Sequence, residues 1–407
     1  MLITALLAML AQQTLAFMCT LVLPVVAPEA AAELGVSTAL IGAYSLFLYA
    51  AGLLAAAGCG SFIRRYGPLR ISQYALFMLG SGLLLASPGL LWLFPISAIV
   101  LGLGSGVSTP ASSEILARYS PPRYAPLIFS IKQTGVPLGG MLAGLLIPFF
   151  VTLIGWRGAF LATGLFCVAM ALALQPLRAR FDAERDPGHP LGGVAQVAGT
   201  LTRVLSVPKL RELALGCFAF VGVQAVFGAC FVTYLVEGLD YGLAEAGQIF
   251  AVSQTTAVLA RIFWGWLAGR YNIARPTLAM LGLSMAIGCA LVYWIEPGWQ
   301  TVVVIAIGML YAATAISWHG VLLSEVARRS PPGQVGQYTG GVLTFGNAAM
   351  MAYPALYGLL LSGGAGYSVG FLLAGIPALA AGILFLLPLR PDGAGPASPL
   401  HAGSPRD

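Results

Sequence analysis

Three basic side chains lie inside long apolar runs, where a charge is expensive. Lys132 sits in "SIKQTGVPLGG" (130–140), Arg261 in "ARIFWG" and His319 in "SWHG". All three can be cationic, and no acid occurs at comparable depth away from the ends of the runs. Ionisable groups in such a setting are kept where they bind or move something, so this charge pattern points to a cavity that favours an anion. The competing readings are structural. Arg261, one turn from the end of its run, can snorkel to the interface, as can Lys132. His319 can be a hydrogen-bonded core histidine. Uncharged polar residues at similar depth complete a candidate site: Gln12, Gln13, Tyr49, Gln133, Gln224, Gln254, Trp318 and Asn347. Any one of these can instead be an interhelical hydrogen bond worth about 1 kcal/mol. Nucleophilic catalysis needs a nucleophile and a base on facing elements, and the one histidine in an apolar run has no acid beside it, so an enzyme is not expected. The six cysteines (Cys19, Cys59, Cys167, Cys217, Cys230, Cys289) all lie in apolar stretches, with no CxxC pair and no His/Cys ligand spacing. No metal and no cofactor are expected.

The elements that carry these residues follow from composition. Of 407 residues, 58% are hydrophobic and 8% charged, with a mean hydropathy of +0.88. A soluble domain carries about 25% charged residues, so the solvent for this chain is lipid. Spanning helices need about 20 apolar residues each. They are expected near 3–28, 38–62, 71–87, 92–117, 126–151, 158–177, 212–236, 243–267, 276–295, 301–326, 336–361 and 370–388. The first lacks a basic leader and reads as an uncleaved helix. Seventeen of the twenty Lys+Arg residues fall in loops on one side of this arrangement. The positive-inside bias makes that side, and both termini, cytoplasmic in a cell inner membrane. The net charge of +6 is therefore a topology signal, and no nucleic-acid partner is expected. Residues 178–211 read as a polar linker with a short surface helix. The Gly/Pro/Ser-rich 391–407 reads as a disordered tail.

The chain repeats itself. "GSFIRRYGPLR" (60–70) and "GWLAGRYNIAR" (265–275) share Gly60/Gly265, Arg65/Arg270, Tyr66/Tyr271 and Arg70/Arg275. "SEILARYSPP" (113–122) matches "SEVARRSPP" (324–332), and "GWRGAFL" (155–161) matches "GYSVGFL" (366–372). The same order in each half implies two parallel six-helix bundles, 1–177 and 212–390, joined by the linker 178–211. Such repeats place a substrate site near the membrane midplane between the halves.

With these residues in view, the chain resembles the major facilitator superfamily of transporters over nearly its whole length. The family's loop pattern after the second helix, G-x-x-x-D-R-x-G-R-R/K, is met by Gly60, Arg65, Gly67 and Arg70, but Arg64 stands at the acidic position and Gly269 at its counterpart. In the family that acid latches the two halves together. Glu114 and Glu325 are the expected substitutes, forming a cytoplasmic charge cluster with Arg65 and Arg270; the local alternative pairs them with Arg118, Arg328 and Arg329 on their own helices. Ala98 replaces an arginine linked to proton coupling in the family, and "GVPLGG" (135–140) fits its antiporter pattern loosely. The stretch "KQTGVPLGG" is similar to cyanate and oxalate/formate carriers. The resemblance implies a secondary transporter working by alternating access on a small organic anion, mono- or dicarboxylate-like. The implied partners are a small molecule, a co-transported proton and the lipid bilayer, and the implied state is a monomer. Efflux of lipophilic compounds is the alternative within transport, and a non-transporting membrane sensor is the alternative outside it.

Overall fold

The structure is a computed structural model that describes residues 1–37 and 40–388. The tail 391–407, with Arg390 and Arg406, lies outside the described residues. Among those described the chain is helical, without strands. The helices are α1 (Leu2–Thr20), α2 (Val22–Leu34), α3 (Leu40–Tyr66), α4 (Pro68–Ala86), α5 (Leu93–Tyr119), α6 (Ala125–Gln133), α7 (Gly135–Ala173), α8 (Arg178–Phe181), α9 (Val194–Ser206), α10 (Pro208–Thr233), α11 (Leu243–Tyr271), α12 (Ala274–Tyr293), α13 (Thr301–Ala315), α14 (His319–Arg329), α15 (Val335–Ser362) and α16 (Tyr367–Leu386). Nine described stretches are long and apolar enough to cross a membrane. Large apolar side chains such as Leu145, Leu172, Leu259 and Leu359 point outward, each more than 60% exposed. Water would penalise that surface, whereas lipid matches it.

The breaks between consecutive helices carry the site. Proline has no N–H, so Pro24 leaves the Thr20 carbonyl free, and the chain bends between α1 and α2 at Leu21. Pro137 likewise cannot donate to the carbonyl of Gln133, where α6 gives way to α7. Within α7, Gly155 departs from helical geometry (φ 72°, ψ 171°). Between α13 and α14 the three residues Ile316–Trp318 are not helical. There Ser317 donates to the Ala257 carbonyl (3.0 Å), and the Trp318 indole folds back on the Ala315 carbonyl (3.0 Å). Side chains that bond nearby carbonyls in this way compete with the helical ladder.

Packing follows chain order only in part. In the first half α5 packs on α3 and α4, and α7 on α1 and α4. In the second, α16 packs on α10 and α12, α15 on α10, and α13 on α11. The halves meet where α3 packs on α15 and where α6 packs on α11 and α14. The expected surface helix in the linker is α9, which lies against α3, α10 and α15. Its Thr200 hydroxyl accepts a hydrogen bond from the Gln337 amide (3.2 Å). At the end opposite the arginine-rich turns, Glu33 accepts from the Trp156 indole (2.5 Å) and from Arg157, tying α2 to the segment after Gly155. The "GWRGAF" motif is thus a helix-to-helix fastening.

Candidate substrate site and the contacts that close one end

Lys132 is buried, 1% exposed, in the last turn of α6. Its ammonium donates to the Gln13 Oε1 on α1 (2.6 Å) and to the Gln133 Oε1 (3.2 Å). Gln13 Oε1 also accepts from the Thr109 hydroxyl on α5 (3.0 Å). Three helices therefore converge on one ammonium, and every acceptor it has is a neutral amide oxygen. Gln13, Lys132 and Gln133, singled out from the sequence, form one cluster. Thr109 was missed because a threonine inside an apolar helix usually bonds its own backbone.

Arg261 corrects the snorkelling expectation. It is fully buried, and its guanidinium donates to the carbonyls of Gln133 and Ile316. These carbonyls were left free by the two helix breaks described above, one by Pro137 and one by the interruption of α13. Each lies at the C-terminal end of a half-helix, where the aligned peptide dipoles amount to roughly half a negative charge. Two such ends balance about one cation. The Arg261 charge is in this way matched by the fold, whereas nothing equivalent grips the Lys132 charge directly.

His319 opens α14 directly after this break. Its ring stacks on Trp318 (centroids 3.7 Å apart), and its Nδ1 is buried without a partner. Trp318 itself is fully buried against Phe220. Tyr49, Gln224, Gln254 and Asn347 are half-buried on α3, α10, α11 and α15. Gln224 and Gln254 each keep a carbonyl oxygen without a partner. Among the described residues no hydrogen bond links these four to the Lys132 cluster. Asn347 borders Gly52 on α3, at the contact between the halves. Gln12 departs from the expected site in another way: it is fully buried and both its amide atoms lack partners.

Near the arginine-rich end, contacts between the first and second parts of the chain mirror each other. A Cβ at Gly60 would stand 2.6 Å from the Gln337 side chain, and one at Gly265 would stand 2.3 Å from the Ser130 hydroxyl. The two repeated turns thus place a glycine where each half touches the other, and no larger residue fits there. Glu114 reaches across as well: its Oε2 accepts the Gly336 N–H (2.7 Å) at the start of α15. The expected charge cluster does not form. Arg65 donates to the His189 carbonyl (3.3 Å), and Arg270 lies over the Tyr271 ring. Glu325 instead takes the local alternative, paired with Arg328 (2.6 Å) and with Arg329. Arg118 pairs with Glu184 (3.3 Å) and donates to the Phe181 carbonyl (3.1 Å).

Asp182, not foreseen from the sequence, reaches the turn between α3 and α4. Its two carboxylate oxygens accept the N–H groups of Leu69 (2.8 Å) and Arg70 (3.0 Å), capping α4. It sits against Gly67, whose φ of 95° suits glycine and whose missing Cβ would lie 2.2 Å from Asp182. Burial, the largest influence, raises its carboxyl above the ordinary range, and the two N–H groups oppose that. The counterpart Arg275 pins α12 to Glu212 (2.9 Å) and to the carbonyl of Leu384 (3.0 Å).

Comparison with known proteins accords with this geometry. A family model described as Major Facilitator Superfamily matches residues 2–330. The chain is similar to a gentisate transporter of Corynebacterium glutamicum (23% identity, covering 74% of this chain and 67% of that one). It is also similar to a gallate transporter of Pseudomonas putida (26%, 71% and 69%) and a hexuronate transporter of Bacillus subtilis (22%, 72% and 72%). In fold it matches the human organic anion transporter MFSD10 (TM-score 0.71, 16% identity, 94% and 98% covered). It likewise matches a bacterial homologue of the iron transporter ferroportin in an outward-facing state (TM-score 0.73, 14%, 94% and 98%). The chain belongs to the Major Facilitator Superfamily and is a multi-pass membrane transporter, not an enzyme.

Proposed function

We propose that the protein moves a small organic anion, a mono- or dicarboxylate, across the cell inner membrane by alternating access, with Lys132 as its principal charge contact. The architecture in this reading is twelve spans in two six-helix bundles, 1–177 and 212–390, joined by 178–211. Nine stretches qualify by apolarity. The break at Gly155 divides one into two passes, and α11 and α15, at 29 and 28 residues, are long enough to span although less apolar. Those two carry Gln254 and Asn347 and lie on the contacts between halves, where a polar path needs them. The pairing of α3 with α15 and of α6 with α11 is the same contact with the halves exchanged, which supports a parallel duplication. Both termini and the arginine-rich turns are cytoplasmic in this reading, so the described state is closed on the inside and the transporter acts as a monomer.

The observation that carries the anion assignment is the buried Lys132 ammonium, held by neutral amide oxygens with no carboxylate bonded to it. In this reading Gln13 and Gln133, which bond the ammonium, and Tyr49, Gln254 and Asn347 on α3, α11 and α15 supply hydrogen bonds to the rest of the substrate. The names of relatives support the same class: gentisate, gallate, hexuronate and cis,cis-muconate are all carboxylates. The test is counterflow in proteoliposomes preloaded with each of these four anions. Counterflow of at least one is expected, with Lys132→Ala reducing it at least tenfold. Full counterflow in that variant would remove Lys132 from the site.

A further inference from the structure

A carrier that achieves net movement of an anion through a buried ammonium, without exchanging it for another, must also return empty, and the charge then has no partner. Carrying an uncompensated ion through a closed, low-dielectric state costs several kcal/mol. Arg261 does not raise this difficulty, because two half-helix ends balance it and a guanidinium does not deprotonate. Lys132 does raise it. The buried carboxylates of Glu114 on α5 and Glu325 on α14 are engaged elsewhere, with the Gly336 N–H and with Arg328 and Arg329. Residues 1–28, 42–113, 115–181, 213–236, 246–295 and 297–324 hold no aspartate or glutamate, so no carboxylate is bonded to Lys132 to take its charge. The ionisable groups nearest Lys132 on the neighbouring helices are Arg261 on α11, which acts on it as a like charge, and His319 on α14, and neither is an acid. α1 and α5 present the amide and hydroxyl of Gln13 and Thr109. The acceptors around Lys132 suit either form of the side chain. An ammonium offers three donors and a neutral amine two, and two Oε1 atoms are in place to receive them.

We propose that Lys132 is itself the proton-coupling group, so that one residue both binds the anion and carries the proton moved with it. This rests on the anion reading above. With the outside open, the amine takes a proton from water and the ammonium binds the carboxylate. The loaded site is then close to neutral and the protein changes conformation. Inside, the anion leaves, the ammonium gives its proton to water, and the neutral amine returns. One proton and one monoanion cross per cycle, with no net charge moved.

The chain has two lysines, Lys132 and Lys209, which makes the test direct. Protein labelled with 13C-lysine gives two side-chain Cε signals, assigned with Lys209→Arg. The Lys132 signal is expected to move between its ammonium and amine positions across the pH range in which transport runs, and a saturating carboxylate found active in counterflow is expected to restore the ammonium position. A Lys132 signal that stays at the ammonium position up to pH 10 overturns the proposal. In proteoliposomes, an inside-alkaline pH gradient is expected to drive accumulation of the monoanion galacturonate or gallate, while a potassium diffusion potential does not. Lys132→Arg, which binds anions but cannot shed its proton, is expected to lower the ratio of gradient-driven accumulation to counterflow at least tenfold. An unchanged ratio in that variant, or loss of the pH drive in His319→Gln alone, assigns the proton elsewhere. Absence of counterflow for all four probes in the wild type removes the anion reading. Counterflow together with an ammonium at every pH removes this proposal alone.

Discussion

Removing the Arg261 guanidinium offers the sharpest test of how the two halves are held. In the described state its two hydrogen bonds go to the carbonyls of Gln133 and Ile316. Ile316 belongs to the same half as Arg261 and Gln133 to the other. Opening the arginine-rich end therefore breaks only the bond to Gln133. A hydrogen bond from a charged donor contributes about 1.5–3 kcal/mol net. At about 1.4 kcal/mol per tenfold, Arg261→Ala is expected to shift the balance toward the state open at that end by roughly 10–100-fold. Overall stability falls separately, because both carbonyls are then buried without partners at about 1–3 kcal/mol each. The two effects separate in a distance measurement on the folded protein. Tyr124 and Tyr271 are exposed, they flank the contact of Gly269 with the Arg123 carbonyl, and they belong to opposite halves. Spin labels there, in a cysteine-free background, are expected to show one short distance in the parent and a longer population in Arg261→Ala. Identical distance distributions in the two would refute the cross-half role of Arg261.

Three other perturbations follow from the same geometry. Glu114→Ala removes a carboxylate from the N-terminus of α15 and is expected to favour the open arginine-rich end by about 1 kcal/mol, the usual size of a lost helix cap. Glu325→Ala, whose partners lie on its own helix, is expected to leave the same label distance unchanged. Asp182→Ala uncaps α4 and is expected to lower stability by about 1 kcal/mol, read as a drop in Tm. Asp182→Asn keeps an oxygen acceptor without the desolvated charge and is expected to cost less. A carboxyl raised by burial contributes most at low pH and loses that contribution as pH rises through its raised value. The Tm of Asp182→Asn relative to wild type is therefore expected to increase from pH 4 to pH 8, and a constant difference would show that the carboxylate is not strained by burial. Glu33→Gln weakens the fastening to Trp156 and Arg157 on an exposed surface, where ion pairs contribute little, so a Tm change of more than a few degrees would contradict that.

What could be read from the sequence follows physical range. Apolar runs of about 20 residues and the basic turns between them report local burial, and helices such as α4, α5, α12 and α15 start and end within a few residues of expected spans for that reason, whereas α1/α2, α6/α7 and α13/α14 break where no span end was expected. The isolation of Lys132 was legible because an acid is visible by its letter. The partners were not. Whether Glu325 bonds Arg328 or Arg270 depends on angles between helices, and the local i,i+3 and i,i+4 geometry prevailed because it costs no additional ordering. Asp182 lies more than a hundred residues from the turn it caps, inside a mixed-charge linker where nothing in its neighbours marks it. The interruption at Ile316–Trp318 has no proline to announce it, so His319 read as mid-helix when it opens a new one. Arg261 read as a snorkelling residue because its partners are main-chain carbonyls, which exist only once the breaks do.

The proposed duplication also accounts for how the charges of the proposed site are distributed. In the proposed repeat the contacts between halves come in pairs: Gly60 answers Gly265, and α3 on α15 answers α6 on α11. The cations do not. Carrying the offsets of the matched motifs across, Lys132 corresponds to Leu343, Arg261 to Ala56 and His319 to Ser108, none of them ionisable. Symmetry is retained where two surfaces must meet in either of two arrangements, since one packing solution then serves both. It is lost at the site, because two ammonium groups at equivalent depths would repel across a low-dielectric gap and leave a second charge with no carboxylate to match. The same asymmetry reaches the closing contacts. Glu114 and Glu325 are equivalent by position, but Glu325 is followed by two arginines that both claim it, while the one arginine after Glu114 is drawn to Glu184 and the Phe181 carbonyl. Glu114 alone is left to cross between the halves, so breaking its bond to Gly336 loosens one side of the closure and not its mirror image.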